Sequence, residues 1–170
     1  KIIKKTFFVN TLKMIKDNTP KHQIVEKKYT KEEIKALFKR KTDKQEYLER
    51  IEKELDIIIS KNLFNHFVQA IEILNITKNI PHITRGSCGS SLVCYMLGIS
   101  HVDPVRYKIS FARFINEYRN NLPDIDFDFP HFLRDEVFLK LELKWPNQVA
   151  RISNHVYWHE KSAIREAIRK

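Results

Sequence analysis

Three aspartates stand at alternate positions in residues 123–129, which read Pro-Asp-Ile-Asp-Phe-Asp-Phe. Successive side chains of a strand point to opposite faces, so Asp124, Asp126 and Asp128 are predicted to share one face. The apolar residues between them share the other face, and its burial would anchor the strand. Carboxylates this close repel one another unless a cation lies among them. Because carboxylates suit Mg²⁺, and two such ions can stabilise a phosphoryl transfer, the segment indicates metal-dependent phosphate chemistry.

The same pattern has a purely structural alternative. Edge strands of sheets often carry exposed charges that discourage aggregation. Asp is nevertheless a poor strand former, and three alternating aspartates among aromatic residues are costly without a ligand. We therefore favour metal binding.

A loop of small residues precedes the acidic segment. All the glycines of the chain, Gly86, Gly89 and Gly98, fall within thirteen residues, and residues 85–91 read Arg-Gly-Ser-Cys-Gly-Ser-Ser. An apolar helix is predicted directly afterwards, over 92–97. Glycine lets backbone N–H groups approach a phosphate, and the unpaired N–H groups and dipole of a helix N-terminus favour an anion. The loop predicts a phosphate site, and an ordinary turn is the alternative.

Arginines flank these two segments. Arg85 opens the loop, and Arg113 and Arg119 lie between the loop and the acidic strand. Forked guanidinium groups are suited to phosphate oxygens, so the three are candidate phosphate contacts. Single arginines are otherwise ordinary surface residues.

Helical patterns must position these pieces. Thr30 with Glu33, and Asp43 with Glu46, have the capping-box spacing, which predicts helices over about 30–40 and 43–60. Apolar spacing predicts a third helix over about 63–78. The stripes expected in the core are Tyr47, Ile51, Leu55 and Ile58, followed by Phe64, Phe67, Ile71 and Leu74.

Shorter elements are predicted downstream. Residues 81–84 are predicted to form a short strand or an extended segment, and Asp103-Pro104 marks a turn with Pro104 suited to the first position of a helix. Phe111, Phe114 and Ile115 form an apolar stripe. A helix over 133–143, a strand over 149–152 and a basic helix from about residue 159 complete the prediction.

Charge is unevenly distributed along the chain. The formal net charge is +10, and residues 1–50 hold 15 Lys and Arg against 7 Asp and Glu. A basic segment beside a local acidic motif is typical of proteins that bind a polyanion near a metal. A lysine-rich, solubilising helical surface is the alternative.

Other candidate sites are weaker. Cys88 and Cys94 are the only cysteines, and their spacing favours neither a disulfide nor a metal pair, which fits a reducing, cytoplasmic setting. No apolar run is long enough to span a membrane. His155, His159 and Glu160 form another candidate, since histidines at i and i+4 share a helix face and could bind zinc. A third ligand has no obvious identity, and residues 156–158 could equally be the end of a strand.

The order of the motifs is distinctive and resembles the palm of bacterial family C replicative DNA polymerases, the DNA polymerase III alpha subunit and its error-prone relatives. The resemblance extends from about residue 47 to the end of the chain. It rests on Arg85 to Tyr95, Leu97-Gly98-Ile99, Val102-Asp103-Pro104, Phe111 to Asn116, Pro123 to Phe129, Arg134 to Val137 and Lys161 to Arg165.

The resemblance implies an α+β fold, an incomplete nucleotidyltransferase palm of the polymerase beta type with a small mixed sheet and flanking helices. It implies that Asp124 and Asp126 form the catalytic pair that binds two Mg²⁺ ions, with Asp128 as a secondary metal ligand. Residues implied to contact the incoming nucleotide are Arg85, Gly86, Ser87, Gly89, Ser90, Arg113 and Arg119. The implied partners are a dNTP, a DNA primer-template, the rest of the polymerase chain and a sliding clamp.

The chain departs from the family pattern at two positions. Thr84 stands where the family usually has Gly, and Cys88 replaces a small residue of the loop. The key glycines are kept, so we expect altered detail rather than an inactive site. The third catalytic Asp of the family is expected beyond Lys170, and we expect the chain alone to be nearly inactive.

The predicted organisation has three parts: a basic, mostly helical segment at 1–45, a palm core at 46–154 and the start of a thumb at 155–170. Two alternatives to template-directed DNA synthesis stay open. One is a nucleotidyltransferase that works without a template, and the other is a non-catalytic polymerase remnant that binds nucleic acid through the basic segment.

Overall fold

A computed structural model describes residues 27–116 and 123–151, together with helical positions 164, 165, 167 and 168. Residues 1–26 of the basic segment and the candidate site residues Arg119, His155, His159 and Glu160 lie outside the described residues. None of the helices in the described part has the length and apolar character needed to cross a membrane.

The described part is mostly helical and contains one two-stranded antiparallel sheet. Three short 3₁₀ helices, Gly86–Ser90, Phe111–Arg113 and His131–Leu133, lie between the longer elements. In chain order the helices and strands are α1 (Lys31–Ala36), α2 (Gln45–Ser60), α3 (Phe64–Ile76), β1 (Ile83–Arg85), α4 (Leu92–Met96), β2 (Asp126–Asp128) and α5 (Arg134–Lys144).

The two predicted capping boxes have different outcomes. At α1, Thr30 Oγ1 accepts from the Glu33 backbone N–H at 3.2 Å and Glu33 Oε2 accepts from the Thr30 N–H at 2.9 Å, which confirms the prediction. At α2 the prediction is wrong, because the N-cap is Lys44 and no side chain caps the helix. Asp43 lies outside α2, which begins at Gln45.

The predicted apolar stripes form the core. Ile51, Leu55 and Ile58 of α2 are buried in one cluster with residues of α3 and α4. Ile71 of the α3 stripe is only half-buried, since Ala70 takes the inner position. The predicted stripe of Phe111, Phe114 and Ile115 joins the same cluster.

Three expectations about the fold are corrected. A mixed sheet is not present in the described residues, where the sheet consists of β1 and β2 alone. Residues 149–151 do not form the predicted strand, and Pro104 opens a hydrogen-bonded turn rather than a helix. The turn closes when the Ile109 N–H donates to the Pro104 carbonyl at 2.8 Å.

The turn at 103–106 is fixed to α2 by a phenol contact. Tyr47 Oη donates to Asp103 Oδ2 at 2.7 Å, and Asp103 Oδ1 accepts from the Val105 and Arg106 N–H groups at 3.0 and 3.1 Å. The hydrogen bond to Asp103 raises the pKa of Tyr47 to about 12. The neutral phenol is therefore favoured in the folded state.

Replacing Tyr47 by phenylalanine is expected to lower the free energy of unfolding by about 1 kcal/mol near neutral pH, because one net hydrogen bond is lost. The raised pKa means that this contribution is complete below the unfolded pKa of about 10 and is lost as pH rises towards 12. Urea unfolding at several pH values and near-ultraviolet phenolate titration measure both effects. Tyr107→Phe, at an exposed tyrosine, is the control and should leave unchanged both the free energy of unfolding and the phenolate titration step near pH 12. An equal loss in the two variants would contradict the assignment.

Candidate functional site

The sheet brings the loop and the acidic segment together. β1 and β2 pair antiparallel, with Arg85 opposite Asp126 and Ile83 opposite Asp128. Asp124, Asp126 and Asp128 are all exposed, while the apolar residues between them are half-buried. The predicted alternation is therefore confirmed, although only Asp126–Asp128 has strand geometry. We call the exposed surface formed by Arg85 and the three aspartates the acidic face.

The opposite side of the sheet is held by the core. The Thr84 hydroxyl donates to the Ile99 carbonyl at 2.5 Å, and Phe127 packs against the buried cluster. The His82 ring lies 5.8 Å from the Phe127 ring and 6.1 Å from the Phe129 ring, measured between centroids. Burial lowers the pKa of His82, so the neutral imidazole is favoured beneath the strand. The acidic face thus stands on a packed apolar support.

Gly86 is in direct contact with the acidic strand. Its φ of +79° lies in the left-handed region, and a Cβ built there would lie 2.6 Å from Asp126 Oδ2. Glycine alone meets both conditions without strain. Gly86, the first residue of the 3₁₀ helix Gly86–Ser90, is therefore fitted against Asp126, one of the two carboxylates that the family resemblance implies for catalysis.

Arg85 and Asp128 form a forked ion pair on the acidic face. Arg85 Nε lies 2.5 Å from Asp128 Oδ2, and Nη2 donates to Oδ1 at 3.1 Å. Both side chains are exposed, so the pair adds little stability. Both oxygens of Asp128 contact Arg85, whereas the side chains of Asp124 and Asp126 have no ion-pair or hydrogen-bond partner among the described residues.

These contacts bear on the fit to a metal. Two exposed carboxylates without partners on one face are suitable oxygen ligands for Mg²⁺. The described residues contain no cluster of three or more His, Cys, Asp or Glu side chains arranged to hold an ion. The acidic face therefore offers a carboxylate pair that needs further ligands to complete a metal site.

The N-terminus of α4 is not open to an anion, contrary to the sequence prediction. The Leu92 and Val93 N–H groups donate to the Glu54 carboxylate at 3.0 and 3.1 Å, and the Cys94 N–H donates to Ser91 Oγ at 3.1 Å. Because these donors are occupied, a phosphate would have to bind to the loop itself rather than to the helix end. The helix also has only five residues.

Glu54 is a fully buried carboxylate of α2. Besides the two N–H groups, Ser91 Oγ donates to it at 2.9 Å and Arg50 Nε at 2.7 Å. Burial raises the pKa of the Glu54 carboxyl, and these four donors act to lower it. Arg50 Nη2 donates in addition to the Ser90 and Ile109 carbonyls, each at 3.2 Å. Neither residue was predicted from the sequence to support a site.

The other predicted residues of the loop and the arginine Arg113 lie close to one another in the structure. Cys88 and Ser90 are buried, and Cys88 and Cys94 are both free thiols, as the spacing predicts. Arg113 is exposed at the end of the 3₁₀ helix Phe111–Arg113, which packs against the loop helix Gly86–Ser90. The structure thus places the Arg113 segment beside the loop.

Comparisons with known proteins agree on one family. The family model described as Bacterial DNA polymerase III alpha NTPase domain matches residues 23–170. The chain is 36% identical over 131 residues to a DNA polymerase III subunit alpha of Aquifex aeolicus, covering 75% of the chain and 11% of that protein. It is 37% identical over 119 residues to an error-prone DNA polymerase of Rhodopseudomonas palustris, covering 68% of the chain and 10% of the relative. The chain spans about a tenth of the length of the curated relatives it matches.

Proposed function

Because the chain belongs to the bacterial DNA polymerase III alpha family through its NTPase domain, we propose that it forms the part of a polymerase palm that binds the incoming nucleotide. The observation that carries this proposal is the contact of Gly86 with Asp126, since it joins a loop of small residues to a carboxylate strand. In the proposed activity, a primer 3′-hydroxyl attacks the α-phosphate of a dNTP and pyrophosphate leaves.

We assign proposed roles to the residues of the acidic face and of the neighbouring loop. Asp124 and Asp126 would hold two Mg²⁺ ions, which when bound lower the pKa of the attacking hydroxyl and neutralise the departing pyrophosphate. The loop residues that would support the triphosphate are Gly86, Ser87, Gly89 and Ser90. The guanidinium of Arg85 lies beside the strand and would donate to phosphate oxygens.

Other site residues stay proposals of the same kind. Arg113, and Arg119 outside the described residues, are proposed as nucleotide contacts. Asp128 is proposed as a secondary metal ligand that also orients Arg85, on the support of the forked ion pair.

Several wider assignments are part of the proposal. We propose that a third catalytic Asp lies in the longer polymerase, beyond Lys170, and that DNA and a sliding clamp are partners of that polymerase. The division into a basic segment at 1–45, a palm core at 46–154 and a thumb start at 155–170 is proposed with it, as is a cytoplasmic location.

The test measures binding of a fluorescent dNTP to the chain with and without Mg²⁺. Asp124→Asn is expected to weaken Mg²⁺-dependent binding by about tenfold or more, because a metal ligand loses its charge. Asp135→Asn is the matched control, since Asp135 is an exposed carboxylate on α5 that pairs with Arg151. The control should bind as the unchanged chain does.

Two outcomes would contradict the proposal. If Mg²⁺ has no effect on dNTP binding while DNA binding falls steeply with salt, the chain is a non-catalytic nucleic-acid binder. If the complete polymerase adds nucleotides equally with and without a template, the template-independent alternative is correct.

A further inference from the structure

We infer that Glu54, which is fully buried, and its half-buried partner Arg50 position the nucleotide loop at residues 85–91, and that they hold this loop, α4 and the Arg113 segment in one fixed arrangement. This inference rests on the proposed function, because it concerns how the same site binds its nucleotide. Neither residue lies on the acidic face.

The loop cannot hold its own shape. The 3₁₀ helix Gly86–Ser90 and α4 each have five residues. Helices this short are unstable alone in water, since nucleation costs more than a few hydrogen bonds return. β1 fixes the start of the loop through its pairing with β2, so contacts from outside the loop are needed to hold its far end at residues 90–93.

Glu54 provides such contacts at the loop junction, residues 91–93, where the 3₁₀ helix Gly86–Ser90 meets α4. Its two oxygens accept from Ser91 Oγ and from the Leu92 and Val93 N–H groups, at distances of 2.9 to 3.1 Å. Hydrogen bonds to a carboxylate are directional and stronger than those between neutral groups. The backbone that leaves the loop is thereby fixed relative to the long helix α2.

Arg50 connects the loop to a second segment, the one that carries Arg113. Its Nη2 group contacts the carbonyl of Ser90, the last residue of the loop helix, and that of Ile109, two residues before the Phe111–Arg113 helix. One guanidinium therefore sets the spacing between the triphosphate loop and the segment that carries Arg113. Both segments contain proposed nucleotide contacts.

A contribution to the stability of the fold does not by itself explain why a charged pair occupies these two positions. Glu54 occupies a fully buried place among Ile51, Leu55 and Ile58, where an apolar side chain would continue the stripe of α2. Replacing buried ion pairs by apolar residues is often neutral or stabilising, because desolvation of the charges is costly. What an apolar residue at position 54 cannot supply is three directed hydrogen bonds to residues 91–93, together with the contact that orients Arg50. We therefore assign the pair to positioning.

The test compares Glu54→Gln with Glu52→Gln in the full 170-residue chain. Glu52 lies on the same helix but pairs with Lys31 and Lys35, away from the loop. Binding of a fluorescent dNTP with Mg²⁺ is measured beside binding of Mn²⁺ alone, followed by its electron paramagnetic resonance signal. Hydrogen exchange at residues 91–94 reports the loop junction directly.

A split between the two affinities is expected. Glu54→Gln should weaken dNTP binding by about tenfold to a hundredfold, because loop atoms move by a fraction of an ångström to an ångström. Mn²⁺ binding should stay within about twofold, since Asp124 and Asp126 are not contacted by Glu54. Exchange at the Leu92 and Val93 amides should become faster. The control Glu52→Gln should match the unchanged chain in all three measurements.

Other results overturn the inference. If dNTP and Mn²⁺ affinities fall in the same proportion, the pair only stabilises the fold, and if neither falls it does not position the loop. Should Glu54→Gln fail to fold, Arg50→Lys gives the same test, since lysine keeps the charge but loses the forked contacts. If the unchanged chain binds Mn²⁺ but no dNTP, the proposed function fails, and the pair is left as a structural clamp.

Discussion

Replacing Gly86 by alanine is expected to lower the affinity of the chain for a dNTP with Mg²⁺ by about a hundredfold. The added Cβ would lie 2.6 Å from Asp126 Oδ2, so the carboxylate must rotate away from its place on the acidic face. The backbone φ of +79° adds strain of about 1–2 kcal/mol for any residue with a Cβ. Titration with fluorescent dNTP and urea unfolding measure the two consequences separately.

Gly98→Ala separates backbone strain from the carboxylate contact. Gly98 has a similar φ of +76°, but its nearest neighbour is the flexible Lys39 side chain, away from Asp126. This variant should lose stability to a similar degree and keep its nucleotide affinity. If both variants lose affinity equally, strain rather than the Gly86–Asp126 contact controls binding.

Replacing Phe114 by alanine is expected to lower the free energy of unfolding by about 3–5 kcal/mol, because a large buried ring is removed from a packed core. Phe114 is fully buried, with its ring centroid 6.0 Å from that of Phe67 and 6.4 Å from that of Phe111. Small domains have total stabilities of about 5–15 kcal/mol, so this loss is a large fraction of the whole. Chemical unfolding followed by circular dichroism measures it.

Phe132→Ala is the matched control for this prediction. The same atoms are removed, but Phe132 is 82% exposed in the short helix before α5. Its effect should be within about 0.5 kcal/mol of zero. Comparable losses from the two substitutions would mean that Phe114 is not part of the core described above.

Local patterns predicted the parts of the structure that depend on neighbours in sequence. The alternation at Asp124, Asp126 and Asp128 follows from the period of an extended chain, and the Thr30 cap from a contact three residues away. The cap predicted at Asp43 is wrong although its spacing is the same, because α2 begins only at Gln45 and its N-cap position falls on Lys44.

Long-range contacts explain what the sequence did not reveal. Glu54 carried a readable signal, a carboxylate inside the apolar stripe with Arg50 four residues earlier, but its donors in the loop junction lie 37 to 39 residues away. For the same reason the sequence did not show that Glu54 occupies the N–H groups at the start of α4, and this helix end was predicted to be an open anion site. The Arg85–Asp128 pair depends on the register of two strands, which neither segment specifies alone.

The pairing of β1 with β2 also has a consequence for how the site comes into being. Arg85 and Asp128 are 43 positions apart, so their meeting closes a long stretch of chain at an entropic cost on the order of 3 kcal/mol. Contacts of such separation are slow to form and reward the chain only once the core beneath them has assembled. We therefore expect the loop at residues 85–91 and the three aspartates to come together late in folding, so that a partly folded chain would lack the acidic face.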